Sequence, residues 1–502
     1  MEAIDTLRQD VQEGRIGAER LLDLLEMVLR RLDAANRRIE ELERKIGGGT
    51  AKLDQPFSMR EEDKRQEARG KKKKGKPNRK HRRGRLQTQD KVAQAERTEQ
   101  VFPKDVPESE CHLSHTRPVW RLENGRAVLI AYQIYRGPEN QYGQIAGVLG
   151  RSEFGLEIVT ELAFLVYVTG LSFDKACAIL AFFQNLRLRK SQADALLHQL
   201  ARHWEKEFAT LCTLLANSLV VHADETSWSL NSVWAFVSER ARLLLYGVHK
   251  DAETLKAILD PATFQGIVIS DDAAVYANFN AAQKCWAHLL RKAIKLTLQD
   301  PNNCEYREFT DQLLAIYRAA CRVQRDRRLG DAGRAQKVVG LADAIFELCA
   351  DRWCETLSRF RGLAKDYRLL IHELMRLMSD NELFTFVTAP AVEQVDGTTE
   401  PVAGTNNEAE RTLRGTAQAR KTGRTNKTMT GARRQTILTS VLESLRLYLP
   451  TFTLKTVFDE VQSWWAAGRS CFKRLQREMK LKSPKKPVLD RLYPKPIAVP
   501  SG

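Results

Sequence analysis

The sequence has no apolar stretch long enough to cross a bilayer. Its longest apolar run lies around Leu162 to Val168, well short of the about 20 residues that a spanning helix needs, and no signal peptide opens the chain. Neither membrane nor export machinery is therefore an expected partner. A cysteine framework is missing too. Nine cysteines are scattered at positions 111, 177, 212, 285, 304, 321, 349, 354 and 471, with no close pairing that suggests disulfides or a paired-CxxC zinc ribbon; they suit a reducing compartment, the cytoplasm. Acid is in short supply as well. Against 80 Lys and Arg stand 63 Asp and Glu, a formal charge of +17, which points towards a polyanion as partner. What remains is ample apolar material, 43% of 502 residues, enough for large cores and more than one domain.

The stretch from Ser218 to Tyr276 organises the rest. Leu219 to Val221 followed by His222, Ala223 and Asp224 reads as a buried strand that ends in a carboxylate. Two apolar runs follow, Val233–Ser238 and Leu243–Val248, parted by the charged turn Glu239 to Arg242. A short helical segment, Ala252–Leu259, leads to a fourth run, Gly266–Ile269, which ends in Ser270, Asp271 and Asp272. A strand reached through a helix normally lies parallel to its partner, so the fourth can lie beside the first and make Asp224 and Asp271 neighbours. Strands lie about 4.8 Å apart, and two carboxylates at adjacent strand ends can share divalent metal. Hard oxygen ligands select magnesium or manganese. Ordinary polar strand ends are the bland alternative for either acid alone; the pair, in a strand, strand, strand, helix, strand order, matches the front half of a ribonuclease-H-like domain.

A third carboxylate is expected from a later helix within TNNEAERTLRGTAQA, Thr405 to Ala419. Thr405 and Glu408 have the spacing of a capping box, which leaves Glu410 without a structural duty. Asn407, Glu410, Arg411 and Arg414 share one helix face by steps of three and four. A solvated Arg and Glu ladder is the competing explanation, worth only about 0.2–0.5 kcal/mol per pair.

Four segments now resemble the transposases of the insertion-sequence 66 family: VVHADETSW at 220–228, VISDDAAVY at 268–276, KCWAHLLRK at 284–292 and TNNEAERTLRGTAQARKTGR at 405–424. The likeness covers roughly residues 150 to 450. It implies a DDE recombinase whose metal ligands are Asp224, Asp271 and Glu410, with two Mg2+ or Mn2+ ions expected, and it places Trp286 and His288 at the border of the active site, in reach of DNA. Departures are visible. The position after the second acid is usually glycine and is Asp272 here, so either acid of that pair is a possible ligand, and Asp271 is taken because it aligns. After Arg420 and Lys421 the family's aromatic segment is replaced by Thr422 to Asn426.

The fold class expected is thus α/β: a ribonuclease-H-like catalytic core with a mixed five-stranded sheet and flanking helices, a helical insertion, an N-terminal coiled coil and a helix-turn-helix-like region. Residues 1–48 form the coiled coil, on a heptad seam from Ala18 to Ile46, and residues 49–105 a basic linker, in which Lys71 to Arg85 holds ten basic residues and no acid. A small β-rich module follows at 106–150, with β-like runs at Trp120–Leu122, Ala127–Tyr135 and Gln144–Val148. Residues 151–212 are helical, and the second helix of the pair, from Lys190, offers Lys190 and Gln192 to a major groove. The core occupies 213–298 and 402–450, with a final helix at Thr436–Tyr448. The insertion occupies 299–401, and a helix with a Lys- and Pro-rich tail closes the chain at 451–502. A basic stripe of Arg411, Arg414, Arg420, Lys421 and Arg424, continuing to Arg433 and Arg434, is expected to hold the scissile strand.

The activity expected is metal-dependent cleavage and strand transfer at insertion-sequence ends. Its partners are double-stranded DNA, as element ends and as target, and a second copy of the chain, making a homodimer or higher oligomer through the coiled coil. The enzyme would work in the cytoplasm, at the bacterial nucleoid. A decayed, transposase-derived DNA-binding protein and a nuclease that only hydrolyses are the alternatives.

Overall fold

The computed structural model describes residues 87–354, 356–482 and 487–494, all within the unit that spans Arg79–Gly502. The coiled coil at 1–48 and the basic run at Lys71 to Arg85 lie outside the described residues. Helix α1 (Thr88–Ala93) and strand β1 (Arg97–Val101) occupy a stretch that the sequence assigned to the linker, because β1 gains its partner from beyond it. It pairs in parallel with β3 (Arg126–Arg136), which pairs antiparallel with β2 (His112–Glu123). The β2–β3 hairpin turns through Asn124 and Gly125, both at positive φ (50° and 76°), as a two-residue loop with right-handed strand twist requires. The β-like run Gln144–Val148 forms no strand. Gly147 and Gly150 take left-handed φ on either side of Val148, which keeps a single bridge to Gly155.

Helix α2 (Leu156–Ala163) runs on as a π-turn over Phe164–Val168, followed by α3 (Phe173–Gln184) and the long α4 (Lys190–Leu215). The central sheet comes next: β4 (Val220–Ser227), β5 (Ser232–Ser238), β6 (Arg242–Val248), then α5 (Ala252–Ile258), β7 (Ile267–Ser270) and β8 (Ala282–Lys284). Its five strands are ordered β6-β5-β4-β7-β8. The first three are antiparallel, and β7 and β8 run parallel to β4. This is the mixed sheet with flanking helices that the sequence implied.

Helices α6 (Trp286–Gln299), α7 (Cys304–Arg325), α8 (Asp331–Ala350), α9 (Gly362–Ser379) and α10 (Thr385–Thr388) build the insertion, closed by the short strands β9 (Val392–Glu393) and β10 (Thr399–Glu400). The chain returns to the sheet through α11 (Asn407–Lys421) and α12 (Met429–Tyr448), and then adds α13 (Leu454–Ala467), α14 (Cys471–Glu478) and α15 (Val488–Leu492). Beyond the expected closing helix, then, the C-terminal segment is not simply a tail: Phe472, Leu489 and Leu492 join the main core. Helix α12 also starts before the expected Thr436. Thr428 caps it through Gly431 N–H at 3.1 Å, and its first turns carry charge that is paired rather than solvated, so apolar periodicity misses them.

Two cores flank the sheet. Val221 and Ala223 of β4 belong to the larger, with α2, α4, α12 and α13; Val220 and Ile269 belong to the second, with α6 to α9. Side chains alternate along a strand, so Asp224 falls on the face of Val220 and His222, towards the insertion.

Both sheet edges are covered by hydrogen bonds, which prevents strand addition from outside. On β6 the N–H groups of Arg242, Leu244 and Tyr246 donate to Ser444, Ser440 and Thr436 of α12 at 3.0, 3.0 and 2.9 Å, acceptors four residues apart on one helical stripe. On β8 the Ala282 carbonyl accepts from the Thr385 hydroxyl at 2.7 Å, and Lys284 N–H donates to Glu382 O at 2.8 Å. Ser440→Ala leaves a buried Leu244 N–H unpaired, at a cost of about 1–3 kcal/mol. The full-length variant is expected to melt below the wild-type protein in calorimetry, and an unchanged melting temperature contradicts the edge-capping role.

Candidate active site

The β4–β7 register pairs Val220 with Ile267, Val221 with Val268 and His222 with Ile269. Continued by two residues, it sets Asp224 across from Asp271. The third acid arrives on α11, and four hydrogen bonds fix where. The Asn406 side-chain amide donates to Ala223 O at 2.7 Å, next to Asp224. Asn406 N–H donates to the Cys285 sulfur at 3.1 Å, and Cys285 N–H donates to Ser270 O at 2.9 Å, next to Asp271. Glu410 N–H in turn donates to Asn406 O at 3.1 Å, in the first turn of the helix. Asn406 and Cys285 thus stitch the ends of β4 and β7 to the start of α11.

The electrostatics of Asp224 report the same meeting point. Burial, the Glu225 carboxylate beside it and, more weakly, Asp271 and Glu410 push its carboxyl up to about 7, against the hydrogen bond from Glu225 N–H. Such crowding of acids is the environment that a cation relieves. Glu410 Oε1 lies 3.7 Å from His288 Nε2 and 3.5 Å from Arg291, yet it is buried and accepts no hydrogen bond. The lone pairs of that oxygen are unspent. The Glu225 side chain points to the opposite face, where it pairs with Lys250 at 2.5 Å and accepts from the Tyr276 hydroxyl. His222, one alternation below Asp224, is held neutral by burial, its pKa pulled down to about 4.

The two adjacent acids part company here. Asp272 is bound by the Arg376 guanidinium of α9, whereas Asp271 accepts Ala273 N–H at 3.1 Å and its charge is felt at Asp224. Among the described residues the one set of three ligand atoms lying within 4.8 Å of one another is that of Cys285, His288 and Glu410, a donor set of zinc type, and neither Asp224 nor Asp271 belongs to a set that close. The thiol is already engaged by Asn406 N–H, and burial pushes its pKa up. Asp224, Asp271 and Glu410 offer oxygen atoms alone, the donor type of hard divalent cations.

Several sequence expectations are corrected. Trp286, expected at DNA, is 0% exposed; its indole donates to Leu383 O at 2.7 Å and stacks on Tyr317, because it fills the insertion core. The Thr405–Glu408 capping box does not form. The N-cap is Asn406, whose side chain makes no cap bond because it is spent on β4, and Glu408 pairs with Arg411 at 2.7 Å. Gln192 caps its own helix through Arg189 N–H at 3.0 Å and Lys190 pairs with Asp174 at 3.1 Å, while both residues stay exposed and the expected groove contact is left open. The basic stripe divides. Arg420 donates to Ser227 O at 2.7 Å and Arg424 to Gly170 O at 2.7 Å. Arg433 pairs with Glu205 at 3.2 Å and Arg434 with Asp194 at 2.7 Å, tying α12 to α4. Asn407, Arg411, Arg414 and Lys421 remain exposed on α11, and His288 is half-buried beside Glu410.

Sequence reasoning missed Asn406 and the structural role of Cys285. The signal was present as the asparagine pair ahead of Glu410, of which only Asn407 fell on the analysed helix face.

In the metal-free protein Asp224→Asn is expected to raise the melting temperature. A carboxyl whose folded pKa lies above its unfolded value leaves the folded state binding more protons, so stability falls as pH rises between the ordinary carboxylate range and about 7. The variant's advantage should be full at about pH 8 and fade towards about pH 4. A melting series with chelator checks it, and an advantage independent of pH counts against the acid cluster.

Among curated proteins none matches the chain. The family model described as "Transposase IS66 family" matches residues 151–434, more than half of the sequence and the whole span from α2 to the start of α12. That span contains Asp224, Asp271 and Glu410, and a match over more than half of the sequence places the chain in the IS66 family of transposases.

Proposed function

We propose that the protein is a DDE transposase with a ribonuclease-H-like core, which cleaves DNA at the ends of an insertion sequence and joins them to a target. The observation that carries the reading is the register that sets Asp224 across from Asp271, with the charge of Glu410 felt at the same carboxyl. Asp224, Asp271 and Glu410 would hold two Mg2+ or Mn2+ ions. Bound there, such ions lower the pKa of an attacking water or 3′ hydroxyl and offset charge on the phosphodiester.

The chain's own groups do the rest. The exposed Asn407, Arg411 and Arg414 sit within about one turn of helix of Glu410 and are placed to bind phosphate oxygens, fixing the strand without reading its sequence. Arg291 and His288 hold the Glu410 carboxylate in place from α6. Asn406 and Cys285 set the spacing of the strand ends. No protein nucleophile is required, so the reaction is positioning plus charge stabilisation. Pairing of two copies through the heptad seam at 1–48 would let one assembly engage both element ends.

A labelled duplex carrying the element end, incubated with magnesium and target plasmid, tests the reading against an Asp224→Asn control. Cleavage and joined product are expected. Cleavage without joining indicates a hydrolytic nuclease, and binding without either product indicates a decayed enzyme.

A further inference from the structure

The helix pair α3–α4 carries a feature that duplex recognition leaves unused. Phe182 and Phe183, at the end of α3, are 84% and 72% exposed and meet edge to face with ring centroids 4.9 Å apart. Single exposed apolar residues are ordinary. Two adjacent phenylalanines this open forgo about 1.5–3 kcal/mol of burial each, which suggests a partner with an aromatic or apolar face.

The chain next to them is built for an anion. Asn185 ends α3 in the left-handed conformation (φ 56°), and Leu186 N–H donates to Leu180 O at 3.1 Å. The chain thereby folds back along the helix, and Lys190 reaches Asp174 in the first turn of α3. Over this return Leu186 and Leu188 are buried while Asn185, Arg187 and Arg189 are exposed. Outward residues on an extended chain repeat about every 7 Å, the scale of successive phosphates along a nucleic-acid strand. Between Asp174 and Asp194 there is no acidic residue, whereas Lys175, Arg187, Arg189 and Lys190 fall in that interval. The corner is anchored near the catalytic helix: Arg424, just after α11, holds Gly170 O, and Arg434 lies over the Phe173 ring at 5.6 Å.

We propose that this corner binds unpaired DNA, with Phe182 and Phe183 stacking on bases and Arg187 and Arg189 holding the backbone. Aromatic platforms beside a basic track are how proteins take single strands without reading sequence. The inference rests on the DNA-transposition reading and deepens it: the enzyme would hold a strand that is opened at the element end, a role separate from a major-groove contact by Lys190 and Gln192.

The test compares full-length Asp224→Asn protein with the same protein carrying Phe182→Ala and Phe183→Ala, by fluorescence anisotropy on two probes. One is a blunt duplex; the other is the same duplex with an oligo-dT tail and 2-aminopurine at the junction. Stacking is worth about 1–3 kcal/mol per base, so the double variant should bind the tailed probe about tenfold or more weakly, bind the blunt duplex unchanged, and lose the 2-aminopurine quenching. Trp at both positions should retain the quenching and Leu should not. Equal binding of the tailed probe by both proteins, an equal loss on both probes, or undiminished binding and quenching by the Leu variant overturns the inference. So does a smaller DNA-free oligomer on Ala substitution, which assigns the rings to a second copy of the chain. Failure of the unsubstituted protein to bind either probe overturns the transposition reading itself; normal binding with indifferent phenylalanines overturns this inference alone.

Discussion

Replacing Asp224 or Asp271 by Asn, or Glu410 by Gln, is expected to lower strand cleavage by about 10³-fold or more, or about 4 kcal/mol of transition-state stabilisation at ~1.4 kcal/mol per decade. The reason is electrostatic. Asp224 is largely buried, with the charges of Glu225 on the other face and of Asp271 and Glu410 felt at it, and burial first and those charges second raise its carboxyl to about 7. An acid cluster that costs the fold stability is retained when a cation offsets its repulsion, and each ligand lost loosens that cation. Gel-resolved cleavage and joining of a labelled end, with DNA affinity measured in parallel, checks the prediction. Affinity should change little, because in the proposed reading Asn407, Arg411 and Arg414, and not the acids, would supply the phosphate contacts. An Asp271→Asn protein that still cleaves, beside an inactive Asp272→Asn, would reverse the assignment of the pair; Asp272 is expected to matter only through its bond to Arg376.

Asn406→Ala should be the next most damaging change, although Asn406 is a positioning residue that touches no substrate. Its side chain is fully buried and donates to Ala223 O at 2.7 Å. Removing it leaves that carbonyl unpaired, for about 1–3 kcal/mol of stability, and frees α11 from β4. Displacements of about 1 Å can cost about 100-fold in rate, so cleavage should fall by roughly that factor. The magnesium concentration for half-maximal cleavage should rise as well. A change that only destabilises the fold, such as Ser440→Ala at the β6 edge, should lower the melting temperature without moving that concentration. Equal metal dependence in Asn406→Ala and wild-type protein would reduce Asn406 to a packing residue.

Local patterning made the core readable. Three apolar runs, a short helix and a fourth run ending in Asp271 and Asp272 correspond to β4, β5, β6, α5 and β7, because alternation and run length act over a few residues and carry through to the fold. The three acids stood out for the same reason. Readings that depended on which way a side chain turns fared worse. Trp286 and His288 are two residues apart on α6, and the same motif gave them one role; the tryptophan fills the insertion core and the histidine faces Glu410. In the basic stripe, charge alone did not separate Arg414, which is exposed, from Arg433 and Arg434, which are consumed by Glu205 and Asp194 on α4.

By itself, then, the sequence determined the order of the elements from β4 to β7, since alternation and run length act within short segments, and four motifs whose resemblance pointed to the family. Only the tertiary structure decided which aspartate of the pair faces Asp224, that Asn406 and Cys285 hold the three elements together, and which arginines stay open to solvent. Those outcomes turn on hydrogen bonds and ion pairs between residues some 100 to 200 positions apart, where a partner is chosen by distance in space and leaves no local pattern in the chain.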